Sequence, residues 1–297
     1  MSLSRFTICG TSNFNGLNRF RQGENLRPVL QQRQEVGFNA LRDWTAFSIP
    51  KIGVCPPTPD LYAAIPDYLA LCAEYGCYVE LTAFTGPYVY FPTQAAMLAH
   101  WEALIQSIDR AFLQGIVNLL DLEAVNEGDN GPNLGVPLDQ LRRPTGFLAS
   151  HGSAIQDAPP MLPVWDVAGH RPGANEEWRK VGHNPMADVA DVYHVPAFCN
   201  ETTRRPDNDD DPDHAFDAAA SAALLCAGSF FHSPGGKDAT LWSGQELRCA
   251  QAWADGARSV PLEFQAGRYY RRDDPAYLRV YGRRLPDGRT YEVSIRF

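Results

Sequence analysis

The chain has 297 residues, 44% of them apolar, and a formal net charge of −9. That length and composition suffice for a large globular core, and a single α/β barrel takes about 250 residues. The negative charge argues against a surface that binds nucleic acid or an anionic membrane. It favours neutral or cationic partners, and sugars are neutral.

No run approaches the roughly 20 apolar residues of a membrane span, and no apolar stretch of signal-peptide length follows Arg5. A cytoplasmic location is therefore the default expectation, and secretion without an N-terminal signal stays open. The seven cysteines form neither a disulfide framework nor a Cys-x-x-Cys metal pattern. We expect Cys9, Cys77 and Cys199 to be small core residues.

The first half of the chain alternates short apolar runs with longer runs of helical periodicity. The pattern is clearest between Thr93 and Gly115, where apolar residues recur every three or four positions. We predict strands at 6–9, 38–43, 77–83 and 116–125, a turn at 10–13, and helices at 28–36, 61–76 and 93–115.

The second half continues this alternation, which predicts a (β/α)8 TIM barrel over residues 1–258. From Val260 the pattern is β alone, and Asp287-Gly288 is typical of a hairpin turn between 277–283 and 290–297. We therefore expect residues 259–297 to form a small C-terminal β appendage packed on the barrel. The remaining predicted strands are 147–150, 162–167, 191–199 and 229–232, and the helices are 176–181, 216–227 and 244–257.

Two Asn-Glu pairs, Asn126-Glu127 and Asn200-Glu201, follow the predicted fourth and seventh strands. Barrel enzymes place their catalytic groups just past the carboxyl ends of such strands. Two carboxylates are what glycosidic bond cleavage needs, because one protonates the departing oxygen and the other attacks or activates water. The pairs therefore predict a glycosidase with Glu127 and Glu201 as its catalytic residues.

Two short segments resemble a known family. Residues 122–127 (Leu-Glu-Ala-Val-Asn-Glu) resemble the Glu-Leu-x-Asn-Glu pattern of the retaining glycoside hydrolase clan of cellulases, mannanases and β-galactosidases. Residues 37–42 (Gly-Phe-Asn-Ala-Leu-Arg) are similar to its Gly-Phe-Asn-x-x-Arg pattern. The resemblance implies that Glu127 is the acid/base, Glu201 the nucleophile, Arg42 its electrostatic partner and Asn126 a ligand of the sugar 2-hydroxyl.

The chain departs from the clan at two points. Gly128 stands where many members have Pro, and His170 lacks the Tyr that often follows two residues later. We expect His170 either to orient the substrate or to hydrogen-bond a loop.

Arg42 also has a structural alternative, as an ion-pair partner of Asp43, Glu80 or Glu123. Glu123 has the strand parity of Glu127, so we expect it in a buried polar network rather than in catalysis.

Aromatic residues near the predicted strand ends could stack on sugar rings or fill the core. We take Trp44 and Trp242 as substrate-binding candidates, with Trp242 the better platform. The histidines lack metal-binding spacing, and the acidic run 207–213 lacks the Gly and Glu of a calcium loop. We therefore expect no metal or cofactor, and a solvated acidic loop at 207–213.

The sequence thus predicts a metal-independent retaining glycosidase acting on a β-linked oligo- or polysaccharide. Three alternatives remain: a carbohydrate-binding barrel without catalysis, a metal-dependent barrel hydrolase, and a structural or recognition component of a larger assembly that uses the β tail. The sugar, the linkage and the oligomeric state are not determined by the sequence.

Overall fold

Parallel strands form one sheet in the computed structural model, which describes residues 7–126, 135–150, 152–153, 168–170, 197–202, 211–274 and 278–296. The strands of this sheet and of a small hairpin that follows β2 are β1 (Ile8–Ser12), β2 (Ala40–Trp44), β3 (Phe47–Ile49), β4 (Gly53–Cys55), β5 (Tyr78–Phe84), β6 (Leu119–Val125), β7 (Ala149–Ser150), β8 (Gly152–Ser153), β9 (Ala168–His170), β10 (Ala197–Thr202) and β11 (Gly228–Phe231). The hairpin β3–β4 was not predicted.

The sheet closes into an eight-stranded barrel. Its order is β7-β6-β5-β2-β1-β11-β10-β9-β8, and every pairing is parallel. One residue separates β7 from β8, so together they act as one barrel strand that joins β6 to β9. The predicted α/β barrel is confirmed, and β6 and β10 are its fourth and seventh strands.

Helices cover the outside of the barrel, and local signals set their ends. Thr93 caps the longest helix by accepting a hydrogen bond from the Ala96 backbone N–H, and Gly37 ends another at φ 104°. The helices are α1 (Gly16–Arg21), α2 (Arg27–Val36), α3 (Pro59–Glu74), α4 (Gln94–Leu113), α5 (Pro212–Leu225), α6 (Pro234–Lys237) and α7 (Gly244–Ser259).

Helix α5 begins four residues before its predicted start. Asp211 is its N-cap and accepts hydrogen bonds from the Asp213 and His214 backbone N–H groups. The end of the acidic run therefore belongs to a helix start rather than to a loop. Residues 207–210 lie outside the described residues.

An apolar layer fills the lower interior of the barrel. The predicted turn at 10–13 is wrong, because strand β1 continues through Gly10 to Ser12. Gly10 faces the ring of Phe230. A Cβ at Gly10 would lie 2.5 Å from Cδ1 of that ring, so glycine lets the strand and the ring share the interior. The layer consists of Ile8, Ala40, Leu120, Phe198 and Phe230.

Two predicted strands lie partly or wholly outside the described residues. Strand β10 includes 197–202 and so extends beyond the predicted end at Cys199, whereas 191–196 lie outside the described residues. Asn200 and Glu201 therefore lie within the strand and not beyond it. Strand β9 follows the predicted range 162–167, which lies outside the described residues.

The C-terminal tail forms a three-stranded antiparallel sheet, here called the appended sheet, of β12 (Arg268–Asp274), β13 (Leu278–Arg284) and β14 (Thr290–Arg296). Gly288 at φ 90° confirms the predicted hairpin turn, whereas β12 was not predicted. Val293 packs on Leu224 of α5, and the Arg283 side chain donates a hydrogen bond to the Leu224 carbonyl. The domain boundary at 258/259 stays a prediction.

All seven cysteines are buried free thiols, as expected for Cys9, Cys77 and Cys199. Among the described residues, no helix has both the length and the apolar character to cross a membrane.

Asp43 ties three elements together outside the barrel wall. Its carboxylate accepts hydrogen bonds from Asn13 Nδ2 (3.0 Å), the Tyr68 hydroxyl (2.8 Å) and the Leu17 backbone N–H (3.0 Å). These groups belong to the loop before α1, to α3 and to the first turn of α1. Burial raises the pKa of Asp43 to about 7, whereas the three donors lower it.

We expect Asp43→Asn to lower the free energy of unfolding by about 1–3 kcal/mol, because the new amide NH2 would face groups that donate. Urea denaturation at pH 8 measures the change. Asp67→Asn on the exposed face of α3 is the matched control and should stay within about 0.5 kcal/mol of the parent. Equal losses in both variants would contradict the assigned role of Asp43.

Candidate functional site

Arg42 on β2 is the centre of a polar layer in the upper barrel. The side chain is fully buried, and its Nε and Nη2 donate to Glu123 Oε2 at 3.2 and 2.6 Å. Nη2 also donates to Asn126 Oδ1 at 2.9 Å, and Nε lies 3.5 Å from Glu80 Oε1. Arg42 is therefore confirmed as an ion-pair partner of Glu80 and Glu123. It also contacts Asn126, the residue predicted to bind the sugar 2-hydroxyl.

Asn126 is the first residue after β6, as predicted, and it is 8% exposed. Arginine has only donors, so the amide atom that meets Arg42 must be the acceptor Oδ1. This contact fixes the orientation of the amide and turns the Nδ2 donor away from Arg42. Asn126 can thus offer an N–H group to a ligand.

Glu127 lies outside the described residues, so its acid/base role stays a prediction. The same holds for the contact of Arg42 with Glu201, since only the backbone of Glu201 is described.

A β-bulge changes the register of β10. Cys199 pairs with Ser229, but Thr202 pairs with Phe231, so β10 has one extra residue in this stretch. Phe198 belongs to the interior layer, and the extra residue interrupts the alternation of faces that would otherwise continue from it.

Glu123 and a further carboxylate, Asp121, share the interior with Arg42. Glu123 Oε2 accepts a hydrogen bond from the Thr82 hydroxyl, and Asp121 Oδ2 accepts one from Ser150. Burial raises the pKa of Asp121 to about 7, and the charge of Glu123 adds to the rise. The expectation of Glu123 as a buried network member is confirmed.

A serine–histidine pair occupies the neighbouring part of the barrel mouth. Ser12 Oγ lies 2.8 Å from His232 Nδ1, at the ends of β1 and β11. His232 is 4% exposed and lies against the Phe14 ring, with ring centroids 5.6 Å apart. His232 was not predicted as a site residue, although its position at a strand end was a usable signal.

Trp242 and Trp44, which were predicted to stack on sugar rings, are both buried. Trp242 is 2% exposed, and the Arg33 guanidinium lies 3.3 Å from its ring centroid, so the stacking role predicted for Trp242 is wrong. Its position after a strand signalled the mouth, but the ring turns into the outer core. Trp44 is 5% exposed and stacks on Phe14 with centroids 3.7 Å apart. A sugar-binding role for Trp44 stays a prediction, with one ring face already covered.

His170 is the last residue of β9 and pairs in register with Cys199 and Ser153. Its side chain is not described, so its contact with substrate stays a prediction. Within the described ranges, no cluster of three or more His, Cys, Asp or Glu side chains could hold a metal ion.

No protein-family model matches the chain, and no curated protein matches it. Solved structures do. The chain is similar to GH5_18 from Bifidobacterium longum subsp. longum ATCC 55813 (TM-score 0.60, 9% identity, 86% of this chain and 79% of that chain). It is also similar to GH5_18 from Streptomyces cattleya in complex with GlcNAc (0.57, 13%, 85% and 80%).

A third similar structure is the endo-β-1,4-mannanase from Thermotoga petrophila (TM-score 0.56, 9% identity, 99% of this chain and 98% of that chain). At these identities the likeness shows the barrel fold alone.

The Asp121 proton predicts a pH dependence of stability. The pKa rises from 3.8 to about 7 on folding, so between these values the folded chain holds a proton that the unfolded chain releases. The contribution of Asp121 to stability then falls as pH rises through this window. We expect Asp121→Asn to flatten the fall by up to about 1.4 kcal/mol per pH unit.

Urea denaturation between about pH 4.5 and 7.5 tests this expectation, with the exposed Asp67→Asn as the control that leaves the slope unchanged. An unaltered slope in Asp121→Asn would contradict a proton held by Asp121.

Proposed function

We propose that the chain is a glycosidase that hydrolyses O-glycosidic bonds of a β-linked oligo- or polysaccharide with retention. The observation that carries the proposal is the Arg42–Asn126 contact of 2.9 Å at the carboxyl ends of β2 and β6. It fixes an amide donor beside the position of Glu127. The extra residue in β10 supports an inward-facing Glu201 in the same barrel.

In the proposed reaction, Glu201 attacks the anomeric carbon while Glu127 protonates the departing glycosidic oxygen. A covalent glycosyl-enzyme forms, and the leaving sugar departs with the proton. Glu127, now ionised, removes a proton from water, which attacks the anomeric carbon and releases Glu201 as a carboxylate. Two displacements at one carbon preserve its configuration.

Arg42 supplies the positive charge of this site. Its guanidinium lies among Glu80, Glu123 and Asn126. A fixed cation in a buried site stabilises nearby carboxylates in their ionised form, which a nucleophile requires. We assign Arg42 the electrostatic support of Glu201 and the orientation of Asn126, whose Nδ2 donates to the sugar 2-hydroxyl.

The net charge and the similar structures support the substrate class. The net charge of −9 suits a neutral polymer. One similar structure is named an endo-β-1,4-mannanase, and another contains GlcNAc. These names support a carbohydrate as the partner of this chain.

A screen of β-linked polysaccharides and aryl β-glycosides, with the anomer of the first product read by NMR, tests the proposal. We expect Glu201→Gln to abolish turnover and Glu127→Gln to lower kcat by about 10²–10⁴-fold, both with an unchanged fold. Glu35→Gln, an exposed change on α2, is the control with full activity. A Glu201→Gln chain that keeps most of its activity refutes the nucleophile, and an inverted product refutes retention.

Asn126→Asp tests the oriented amide. The new carboxylate keeps an acceptor for Arg42 but loses the Nδ2 donor, so we expect kcat/KM to fall by about tenfold or more while Tm is retained. Kinetics on one substrate and a thermal melt measure both. Full activity in Asn126→Asp would show that the amide donates nothing to the transition state.

A further inference from the structure

The appended sheet is basic on an otherwise acidic chain. Residues 259–297 contain eight arginines and five acidic residues, a formal net charge of +3. Because the whole chain has a net charge of −9, the other 258 residues have a net charge of −12. Such a separation of charge within one chain favours different partners for the two parts.

One face of the appended sheet is occupied by the barrel. Tyr291 donates a hydrogen bond from its hydroxyl to the Ser259 carbonyl, and Val293 packs on α5. Residues on one face alternate along a strand, so the opposite face contains Arg268, Arg284 and Thr290. This opposite face, with the row Arg268–Arg284–Thr290, is here called the arginine face.

Two arginines stand directly opposite each other on the arginine face. Arg268 pairs in register with Arg284, and both side chains are exposed. Like charges directly opposite each other in an antiparallel pair destabilise the sheet. Within the described ranges neither guanidinium has an acidic partner at ion-pair distance. A bound anion between them would offset this repulsion.

Tyr270 holds one of these guanidiniums in place. Its ring lies over Gly282, where a Cβ would be 2.3 Å from the ring Cζ, and the Arg284 Cζ is 5.6 Å from the ring centroid. The Tyr270 hydroxyl on β12 donates to Glu292 on β14 at 2.8 Å, so this carboxylate is already engaged across the sheet. The arrangement limits the freedom of Arg284 before a ligand arrives, which lowers the entropy lost on binding.

Other arginines of the tail have partners within the chain. Arg283 donates to the carbonyls of Leu224 and Gly267. Arg289 forms ion pairs with Glu263 at 2.9 Å and Asp287 at 2.8 Å. Arg268 and Arg284 differ from both, since their nearest cross-strand neighbour is another cation.

We propose that the arginine face binds a carboxylate-bearing polysaccharide through Arg268 and Arg284. Guanidinium groups bind carboxylates through paired hydrogen bonds, and a chain of uronate units repeats that group along a surface. The choice of a polysaccharide over other polyanions rests on the proposed function of the barrel. The appended sheet then holds the enzyme on an anionic matrix while the acidic barrel acts on a neutral polymer.

The test is binding of the full chain to polygalacturonate at low ionic strength, by isothermal titration calorimetry. We expect the double variant Arg268→Ala/Arg284→Ala to weaken binding at least about tenfold, because each site loses charge-assisted hydrogen bonds. Arg289→Ala, in the turn between β13 and β14, is the control and should change affinity less than about twofold. Raising salt from about 20 to about 200 mM should weaken binding to the parent chain.

The methyl-esterified polymer separates charge from sugar, because it keeps the same backbone without the carboxylates. Equal binding of both polymers would overturn the proposal, and so would equal loss in the Arg289→Ala control. Equal or tighter binding of duplex DNA would overturn the polysaccharide as the partner. The double variant should also keep or raise Tm at low salt, since a repulsive pair is removed; a lower Tm contradicts the repulsion.

Failure of this inference is distinct from failure of the proposed function. A chain that binds polygalacturonate through these arginines but hydrolyses nothing refutes only the glycosidase. A chain that hydrolyses a β-glycan but shows no carboxylate-dependent binding refutes only the arginine face.

Discussion

The buried guanidinium of Arg42 is the constraint on which the upper barrel depends. Two carboxylates, Glu80 and Glu123, lie within 3.5 Å of it, and all three side chains are fully buried. Buried charges are tolerated only when they are paired, so removal of the cation would leave acids without compensation, at about 3–5 kcal/mol. The same guanidinium orients Asn126. Stability of the interior and placement of the candidate site therefore depend on one side chain.

The apolar layer and the polar layer lie at different depths in the barrel. Phe198 and Phe230 close the lower interior with apolar surface, so the polar layer above them is shielded from that side. Low polarity beneath the site strengthens every charge interaction above it. The same burial raises the pKa of Asp121 to about 7, and the charge of Glu123 adds to the rise.

Sequence patterns predicted what depends on local chemistry. The alternation of strands and helices gave the barrel, and the end of β6 at Val125 placed Asn126 correctly. The patterns could not predict the bulge in β10, because an extra residue in a ladder is defined only by the neighbouring strand. Trp242 failed for a related reason. Its neighbours along the chain indicated the mouth, but Arg33, more than two hundred residues earlier, covers its ring.

The appended sheet also has one feature that sequence patterns predicted and one that they did not. Its hairpin turn was readable because Asp287-Gly288 is a local signal, but the pairing of Arg268 with Arg284 required β12, a strand that was not predicted. Register, and not composition, brings these two cations together. A pair that raises the free energy of the folded sheet would be replaced by almost any other residue without loss of stability. Its presence on an exposed face is therefore better explained by what the face binds than by how the sheet folds.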